Sequence, residues 1–266
     1  MMPGYYRAMD PGLVTETIKG LPTREPAFDL PAIWITEDKR ERAQIAGYTV
    51  VDCITVMATH ISEVIKKHAY ELLGRQETQT LIDNLGKSYP KLVEELIPHV
   101  LNLGTIMRVL QNLLREGVSI RDLRTILETM ADYASMTQDS DILTEYVRHA
   151  LSRSISAAHT QQDGIMSVIT LDRKAEEAIQ SAVQHRERGS FLALDPKTAQ
   201  KILDSTGTLI STLTGGQPVL LVLPQIRPHV RRLTERYFPN LAVLSHNEIT
   251  SQVRIQSIGT VTIDAS

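Results

Sequence analysis

The tripeptide Gly86-Lys87-Ser88 imitates the end of a phosphate-binding loop, where backbone amides cradle phosphate and the lysine neutralises it. That motif needs a first glycine where Leu81 stands and a strand ahead of it, whereas the surrounding pattern is helical. The tripeptide therefore reads as a helix end before Pro90. Eight histidines, His60, His68, His99, His149, His159, His185, His229 and His246, are scattered without an H-E-x-x-H pair or the close Cys and carboxylate spacing of a metal site. His60 and His68 share a helical pattern but point nearly a quarter turn apart. No serine sits in a G-x-S-x-G elbow, and the adjacent Glu94 and Glu95 project in different directions on a helix, which suits solvent better than acid/base pairing. The residue types thus offer no handle for catalysis, and neither cofactor nor metal is expected.

Two other groups could bind rather than react. Arg227, Arg231, Arg232 and Arg236, with His229, form the densest positive cluster. Val230, Leu233 and Tyr237 supply an apolar stripe between them, so the arginines are expected on the solvated face of one helix. Phe28 lies in a loop bracketed by Pro26 and Pro31, and two readings stand: a plug of the core, or an exposed anchor for a partner helix.

Composition narrows the classes. The 266 residues, 42% hydrophobic and 22% charged, suit a folded protein of about two domains. A net charge of -3 gives no positive field for phosphate backbones, and 5% aromatic residues are too few for base stacking, so nucleic acid is not an expected partner. No apolar run approaches the roughly 18 residues of a membrane helix, and no targeting segment opens the chain. A single cysteine, Cys53, fits a reducing compartment, so a cytoplasmic location is expected.

The elements that must position these residues follow from periodicity. Breakers crowd Met1 to Leu30, which reads as looped chain with short strands. Ala32 to Ile35 then reads as a strand, Thr36 as the cap of a helix Glu37 to Ala46, Gly47 as its end, and Tyr48 to Val51 as the returning strand. Apolar residues from Ile54 to Leu73 recur at helical spacing until Gly74, predicting one long amphipathic helix. Arg75 to about Arg153 carries only helical patterns. Gly117 ends one of these helices, and Ser119 with Asp122 forms a capping-box pattern for the next. After Ser154 strands and helices alternate: strand Ile165 to Leu171, helix Asp172 to about Arg186, helix Asp195 to Leu213, strand Val219 to Leu223, helix Arg227 to Phe238, strand Leu241 to Leu244. The strand from Val219 is apolar throughout and reads as central, whereas Arg254 to Ile263 is either an edge strand or a tail. The fold class is mixed α/β with several subdomains: a small α+β unit, an all-helical subdomain and a C-terminal α/β subdomain. Gly74 and the polar segments around Gly20 and Ser154 are expected to separate units with their own cores.

Longer stretches carry a resemblance. Glu25-Pro-Ala-Phe28, Leu30-Pro-Ala-Ile-Trp-Ile35, Gly47-Tyr-Thr-Val-Val-Asp52, Ala58-Thr-His60, Gly74-Arg-Gln-Glu-Thr-Gln79 and the segment Leu113 to Glu128 resemble the cytoplasmic domain of the FlhA family of flagellar export gates, to which injectisome export gates are related. Weaker agreement continues through Leu220-Leu-Val-Leu-Pro224 and Leu241-Ala-Val-Leu-Ser245. The flagellar branch fits better, mainly through Tyr48 to Asp52 and Ala58 to His60.

The resemblance implies a non-enzymatic docking platform of the type III export apparatus, on the cytoplasmic side of the bacterial inner membrane. It implies partners as well: export chaperones carrying flagellar substrates, other export-apparatus proteins, and further copies of the full-length parent in a nine-membered ring. Residues 3–55 would be the second subdomain, 56–74 the returning helix of an incomplete first subdomain, 75–153 the helical third and 154–266 the α/β fourth. The chain would then lack the membrane half and the front strands of the first subdomain. Without that cover, part of the apolar stripe including Ile61, Ile65 and Leu72 is expected to be exposed or covered by a non-native contact. The family's docking dimple falls on Phe28, Glu25 and Thr59, with Pro11, Leu30, Val51, Val56 and Met57 as apolar lining. There an amphipathic chaperone helix would set its anchors while a rim carboxylate and hydroxyl fix its register. Asp29 stands where the family commonly has glycine, which would tilt the loop carrying Phe28. The rival readings are an α/β enzyme for a small ligand or phosphate, and a nucleic-acid binder using the arginine helix.

Overall fold

The computed structural model describes residues 2, 4–12, 14–25, 30–97, 99–186, 189–213 and 217–263, with only the backbone of His185 and Arg186, and divides into unit 1, Met1–Leu72, and unit 2, Leu73–Ser266.

In unit 1, strands β1 (Tyr5–Met9), β2 (Leu21–Arg24), β3 (Pro31–Thr36) and β4 (Thr49–Asp52) form one sheet in the order β2-β3-β1-β4. Both β3 and β4 run antiparallel to β1, so they are parallel to each other, and the helix between them, α1 (Arg40–Ile45), crosses over the strand that separates them. Small side chains allow the helix to lie close: Ala43 and Ala46 pack with Ala8, Ile18 and Ile35 in the buried cluster. Gly47, at φ +94°, turns the chain out of α1 into β4, a left-handed conformation that favours glycine. The expected cap at Thr36 does not form. Thr36 ends β3 paired with Tyr5, its side chain makes no capping bond, and the helix begins with a 3-10 turn at Glu37–Lys39.

The long helix also differs from expectation. Helix α2 (Cys53–Lys67) is capped by Asp52, which accepts from Thr55 N at 2.6 Å, but it breaks at His68 before the short α3 (Ala69–Leu72). His68 Nδ1 and Glu71 Oε1 lie 2.8 Å apart across that break. Only Val56 of α2 is buried, while Ile61, Ile65 and Leu72 remain 56%, 52% and 64% exposed, so the stripe is open to solvent at those positions.

Unit 2 opens with six helices, α4 (Arg75–Gly86), α5 (Pro90–Leu96), α6 (Leu103–Arg115), α7 (Leu123–Tyr133), α8 (Ser140–Ala150) and α9 (Ser152–His159). Gly117, at φ +73°, ends α6 with the Val118 amide returning to Leu113 O at 2.9 Å. Asp122 rather than Ser119 caps α7, accepting from Thr125 N at 3.2 Å. The parallel strands β5 (Ile165–Leu171), β8 (Val219–Val222), β9 (Ala242–Ser245) and β10 (Arg254–Val261) are ordered β10-β5-β8-β9, which makes β10 an edge strand. Between β5 and β8 lie α10 (Arg173–Ala182), the hairpin β6 (Val183–Arg186) and β7 (Gly189–Leu192), and α11 (Pro196–Ser211); α12 (Arg227–Thr234) joins β8 to β9. The hairpin replaces the last turn of the helix expected to reach Arg186. Val183 already has an extended backbone there, and Gly189, at φ +120°, starts the return strand.

One face of the sheet, through Met166, Val168, Val219, Leu221 and Leu244, shares an apolar cluster with Ile106, Leu110, Leu113, Ile126, Leu127 and Val147. The other face, through Ile169, Leu220, Val222 and Val243, packs with Ile179, Ile202 and Val230. A sheet covered on both sides requires strands apolar in both directions, which is why β8 reads as an uninterrupted run. The boundary expected at Ser154 therefore falls inside one shared core.

That core also holds charge. Arg227 is 1% exposed and sits between Glu116, which follows α6, and Glu145 of α8; its Nη1 lies 2.6 Å from Glu116 Oε2 and its Nε 2.6 Å from Glu145 Oε2. Arg148 bridges Glu116 at 2.9 Å and Glu248 at 2.5 Å. The expectation of a solvated arginine face thus holds for Arg232 and Arg236 but fails for Arg227, which is buried, and Arg231, which is half-buried with Nη1 donating to Leu241 O at 2.9 Å. Tyr237, expected in the buried stripe, is 58% exposed. The buried face of α12 runs through Arg227, Val230 and Thr234 instead.

Arg227→Met is expected to destabilise unit 2 by about 3–5 kcal/mol in urea unfolding, because it leaves two half-buried carboxylates without their main partner. Burial alone would raise the Glu116 carboxyl, but the Arg227 and Arg148 guanidiniums hold it at about 2. A carboxylate lowered in the folded state contributes stability above its unfolded value near roughly 4.3, and loses it as pH falls from there to about 2. Glu145, raised by burial despite Arg227, has the opposite sign: its contribution is full below the unfolded value and is lost as pH rises through the raised one. Unfolding midpoints measured from pH 5 to pH 2 are expected to fall less steeply in Glu116→Gln than in the wild type.

Candidate functional site

The sheet of unit 1 has a second face, opposite the α1 cluster. Strand register places Leu21, Trp34, Arg7 and Val51 in one row across β2, β3, β1 and β4, and residues directly opposite one another share a face. Trp34 and Arg7 are both buried, and the Arg7 guanidinium carbon lies 4.4 Å from the centroid of the indole ring. This is cation–π stacking in a desolvated setting. Glu25, the residue after β2, brings Oε1 to 3.9 Å from Arg7 Nη1, with both side chains about 95% buried. Burial depresses the proton affinity of Arg7, and Glu25 acts against that effect.

Around this row stand the residues expected to form the dimple. Glu25 N donates to Leu30 O at 2.8 Å, so the two ends of the 26–29 segment are held together. Phe28 and Asp29 lie outside the described residues. Leu30 is 50% and Met57 40% exposed, Pro11 is exposed, and Val51 and Thr59 are half-buried. Val56 is buried on the first turn of α2, three positions before Thr59 on the same side of the helix. The structure therefore gathers Val51, Glu25 and Leu30 about one sheet face, and α2, which follows β4 without a linker, carries Val56, Met57 and Thr59. One role differs from expectation: the Glu25 carboxylate is turned inward onto Arg7 rather than set on a rim. Arg7 and Trp34 were not singled out as site residues by sequence. The signal available was that Trp34 is the only tryptophan, placed mid-strand opposite an arginine.

Unit 2 has a separate concavity of about 200 Å³ lined by His159, Thr160, Gln161, Ser167, Gln217 and Pro218 among others. Burial first, then Arg148, lowers the proton affinity of His159, which keeps the imidazole neutral. Gln217 and Pro218 precede β8, so the cavity borders the amino end of that strand, whereas ligands of open α/β sheets bind beyond the carboxyl ends. Among the described residues no three His, Cys, Asp or Glu side chains cluster as metal ligands, and no helix is long and apolar enough to cross a membrane.

A model of the FHIPEP family matches residues 1–254. The chain belongs to the FHIPEP family. It is 48% identical to the flagellar biosynthesis protein FlhA of Bacillus subtilis over 97% of its own length and 39% of that protein, and 42% identical to FlhA of Escherichia coli over 97% and 37%. It thus spans about two fifths of the length of these curated relatives. Among solved structures it is similar to the Chlamydia pneumoniae CdsV protein, with TM-score 0.90, 33% identity, and 98% of this chain and 76% of that one covered. It is also similar to CdsV in complex with CdsO, at TM-score 0.89, 34% identity and 98% and 76% coverage, and to nonameric SctV-C of EPEC, at 0.81, 27%, and 98% and 79%. The mixed fold expected from sequence and the resemblance to the FlhA family are both borne out.

The close approach at Gly20 offers a check on the site's scaffold. A Cβ there would come within 2.6 Å of Trp34 O and 3.0 Å of Ile33 Cβ, so β3 itself would have to shift. Gly20→Ala is expected to destabilise unit 1 by about 1–3 kcal/mol and to change the near-ultraviolet circular dichroism of Trp34.

Proposed function

We propose that this chain is the cytoplasmic part of a flagellar type III export gate, and that the Arg7–Trp34 face of unit 1, with the start of α2, docks export chaperones carrying their substrates. The observation that carries the export role is the 48% identity with FlhA across nearly the whole chain. The docking reading rests on the family positions of Phe28, Glu25 and Thr59, and on apolar side chains left open beside them at Leu30 and Met57. A shallow apolar surface flanked by polar groups suits an amphipathic helix, whose anchors recur every three to four residues. The chemistry is one of recognition, with no bond made or broken.

Assembly belongs to the same proposal. SctV-C of EPEC forms a nonamer and CdsV forms a complex with CdsO, and the likeness of fold supports a ring and export-apparatus partners for the full-length protein here. Such a ring would sit on the cytoplasmic side of the inner membrane.

Phe28→Ala is expected to weaken binding of a chaperone-substrate complex by about 2–4 kcal/mol in titration calorimetry, as for a buried aromatic hot spot. Circular dichroism should remain that of the wild type. A folded variant with unchanged affinity would overturn the docking assignment.

A further inference from the structure

The two edges of the four-stranded sheet in unit 2 differ in cover. Strand β9 forms one edge, and three of its four residues are buried. Strand β10 forms the other, and its first five residues, Arg254 to Ile258, are all exposed. An open edge offers unpaired backbone groups to any extended chain, and proteins usually blunt it with charge, proline or brevity. β10 has eight residues, no proline and one charged side chain, Arg254, at its start. Its register with β5 slips between Ser257 and Gly259, which leaves Ile258 as a bulge, a feature common beside binding sites.

The bonds at the two ends of β10 show which groups face outward. Arg254 N donates to Gly164 O at 3.1 Å, and Val261 O accepts from Asp172 N at 2.9 Å, both on the β5 side. Backbone direction alternates along a strand, so Gln256 also turns its amide and carbonyl toward β5, while those of Ile255, Ser257 and Thr260 point away from the sheet. Among the described residues no strand pairs with that side. At the bulge, Ile258 joins the wall of the concavity of about 200 Å³ that also holds His159, Gln161 and Ser167. Its described lining carries no Asp, Glu, Lys or Arg, and burial with Arg148 keeps His159 neutral. The space is smaller than the roughly 300 Å³ at which small-molecule pockets begin, and suits one uncharged hydrogen-bonding side chain.

We propose that β10 is a docking edge for an extended polypeptide segment of another protein, which adds to the sheet through the backbone of Ile255 and Ser257 and sets an uncharged polar side chain such as glutamine in the concavity beside Ile258. Only an extended chain offers amides and carbonyls at the matching interval. A second copy fits less well, because the exposed stretch is about 17 Å long and about 10 Å deep. That is far below the roughly 800 Å² each partner contributes to a stable folded pair. A flexible segment can follow the edge and fill the concavity together. The site lies within unit 2 and does not depend on the docking reading for unit 1.

Hydrogen exchange read by NMR tests the edge before any partner is added: the Ile255 and Ser257 amides should exchange on the order of tenfold faster than that of Gln256. The probe for binding is a set of peptides selected from a random display library on the full chain. Ser257→Pro removes one outward amide and leaves the ladder to β5 intact, since edge strands tolerate proline where the amide faces solvent. Ser257→Ala keeps the amide and should bind as wild type. Each variant is checked by thermal melting, and Ile255→Lys, which blocks the edge by charge, decides the matter if the proline variant fails to fold. Selected peptides are expected to slow exchange at Ile255 and Ser257, and to bind Ser257→Pro or Ile255→Lys about tenfold more weakly than wild type. Gln161→Ala, at an exposed position in the concavity wall, should also weaken binding. The proposal is overturned if the selected peptides bind these variants as tightly as wild type, or if none of them protects the two amides. It is equally overturned if those amides are already protected in the free chain while light scattering shows a dimer, because β10 would then be a contact between two copies.

Discussion

Arg227 is enclosed by carboxylates that precede it by 111 and 82 residues, one after α6 and one on α8, and the architecture of unit 2 turns on that enclosure. A guanidinium can stay charged in an apolar interior only when its donors are met from several directions. Glu116 comes from the turn after α6, Glu145 from α8, and Arg148, one turn further along α8, carries the network to Glu248 beyond β9. Glu248 in turn accepts from Ser245 Oγ at 2.9 Å, while Ser156 Oγ donates to the Glu248 carbonyl at 2.7 Å. The helical stretch and the α/β stretch therefore meet in shared apolar packing and in a polar lattice that tolerates little sliding. Apolar contacts alone would permit several registers of helix against sheet, whereas these ion pairs select one.

Unit 1 solves a smaller version of the same problem with fewer partners. Its sheet is short, its helix crossover passes over β1, and the close packing of Ala8, Ala43 and Ala46 leaves little room for error on the α1 face. On the opposite face Arg7 lies against Trp34, with Glu25 at 3.9 Å, in place of the lattice of unit 2.

Much of this was legible in the sequence because it depends on local pattern. Ile165 to Leu171 and the apolar run at Val219 follow from strand periodicity, and Gly47 and Gly117 stop helices where positive φ is required. What was not legible depends on distant chain. Nothing near Arg227 announces two carboxylates so far back, so an arginine at helical spacing was assigned to solvent by default. The β6–β7 hairpin was lost for a related reason: Val183 to Arg186 extends a helical pattern on paper, and only pairing with Gly189 to Leu192 reveals the strand. At the candidate site the family resemblance supplied Glu25 and the residues beside it, but not the direction in which Glu25 points. That direction is toward Arg7, eighteen positions earlier and two strands away in the sheet.

Exposed apolar side chains are unevenly distributed between the two units. Among the described residues sixteen large hydrophobics are exposed, and nine of them fall within Met1–Leu72 although that unit is much the smaller. Scattered exposed hydrophobics are ordinary on any protein surface, but concentration in a unit with eight buried apolar residues among those described is not. Unit 2 turns most of its apolar residues inward onto two clusters. Unit 1 buries little and exposes Leu21, Leu30, Met57 and the open stripe of α2. Where apolar packing is thin, the stack of Arg7 on Trp34, with Glu25 beside it, is part of what fills the sheet's second face.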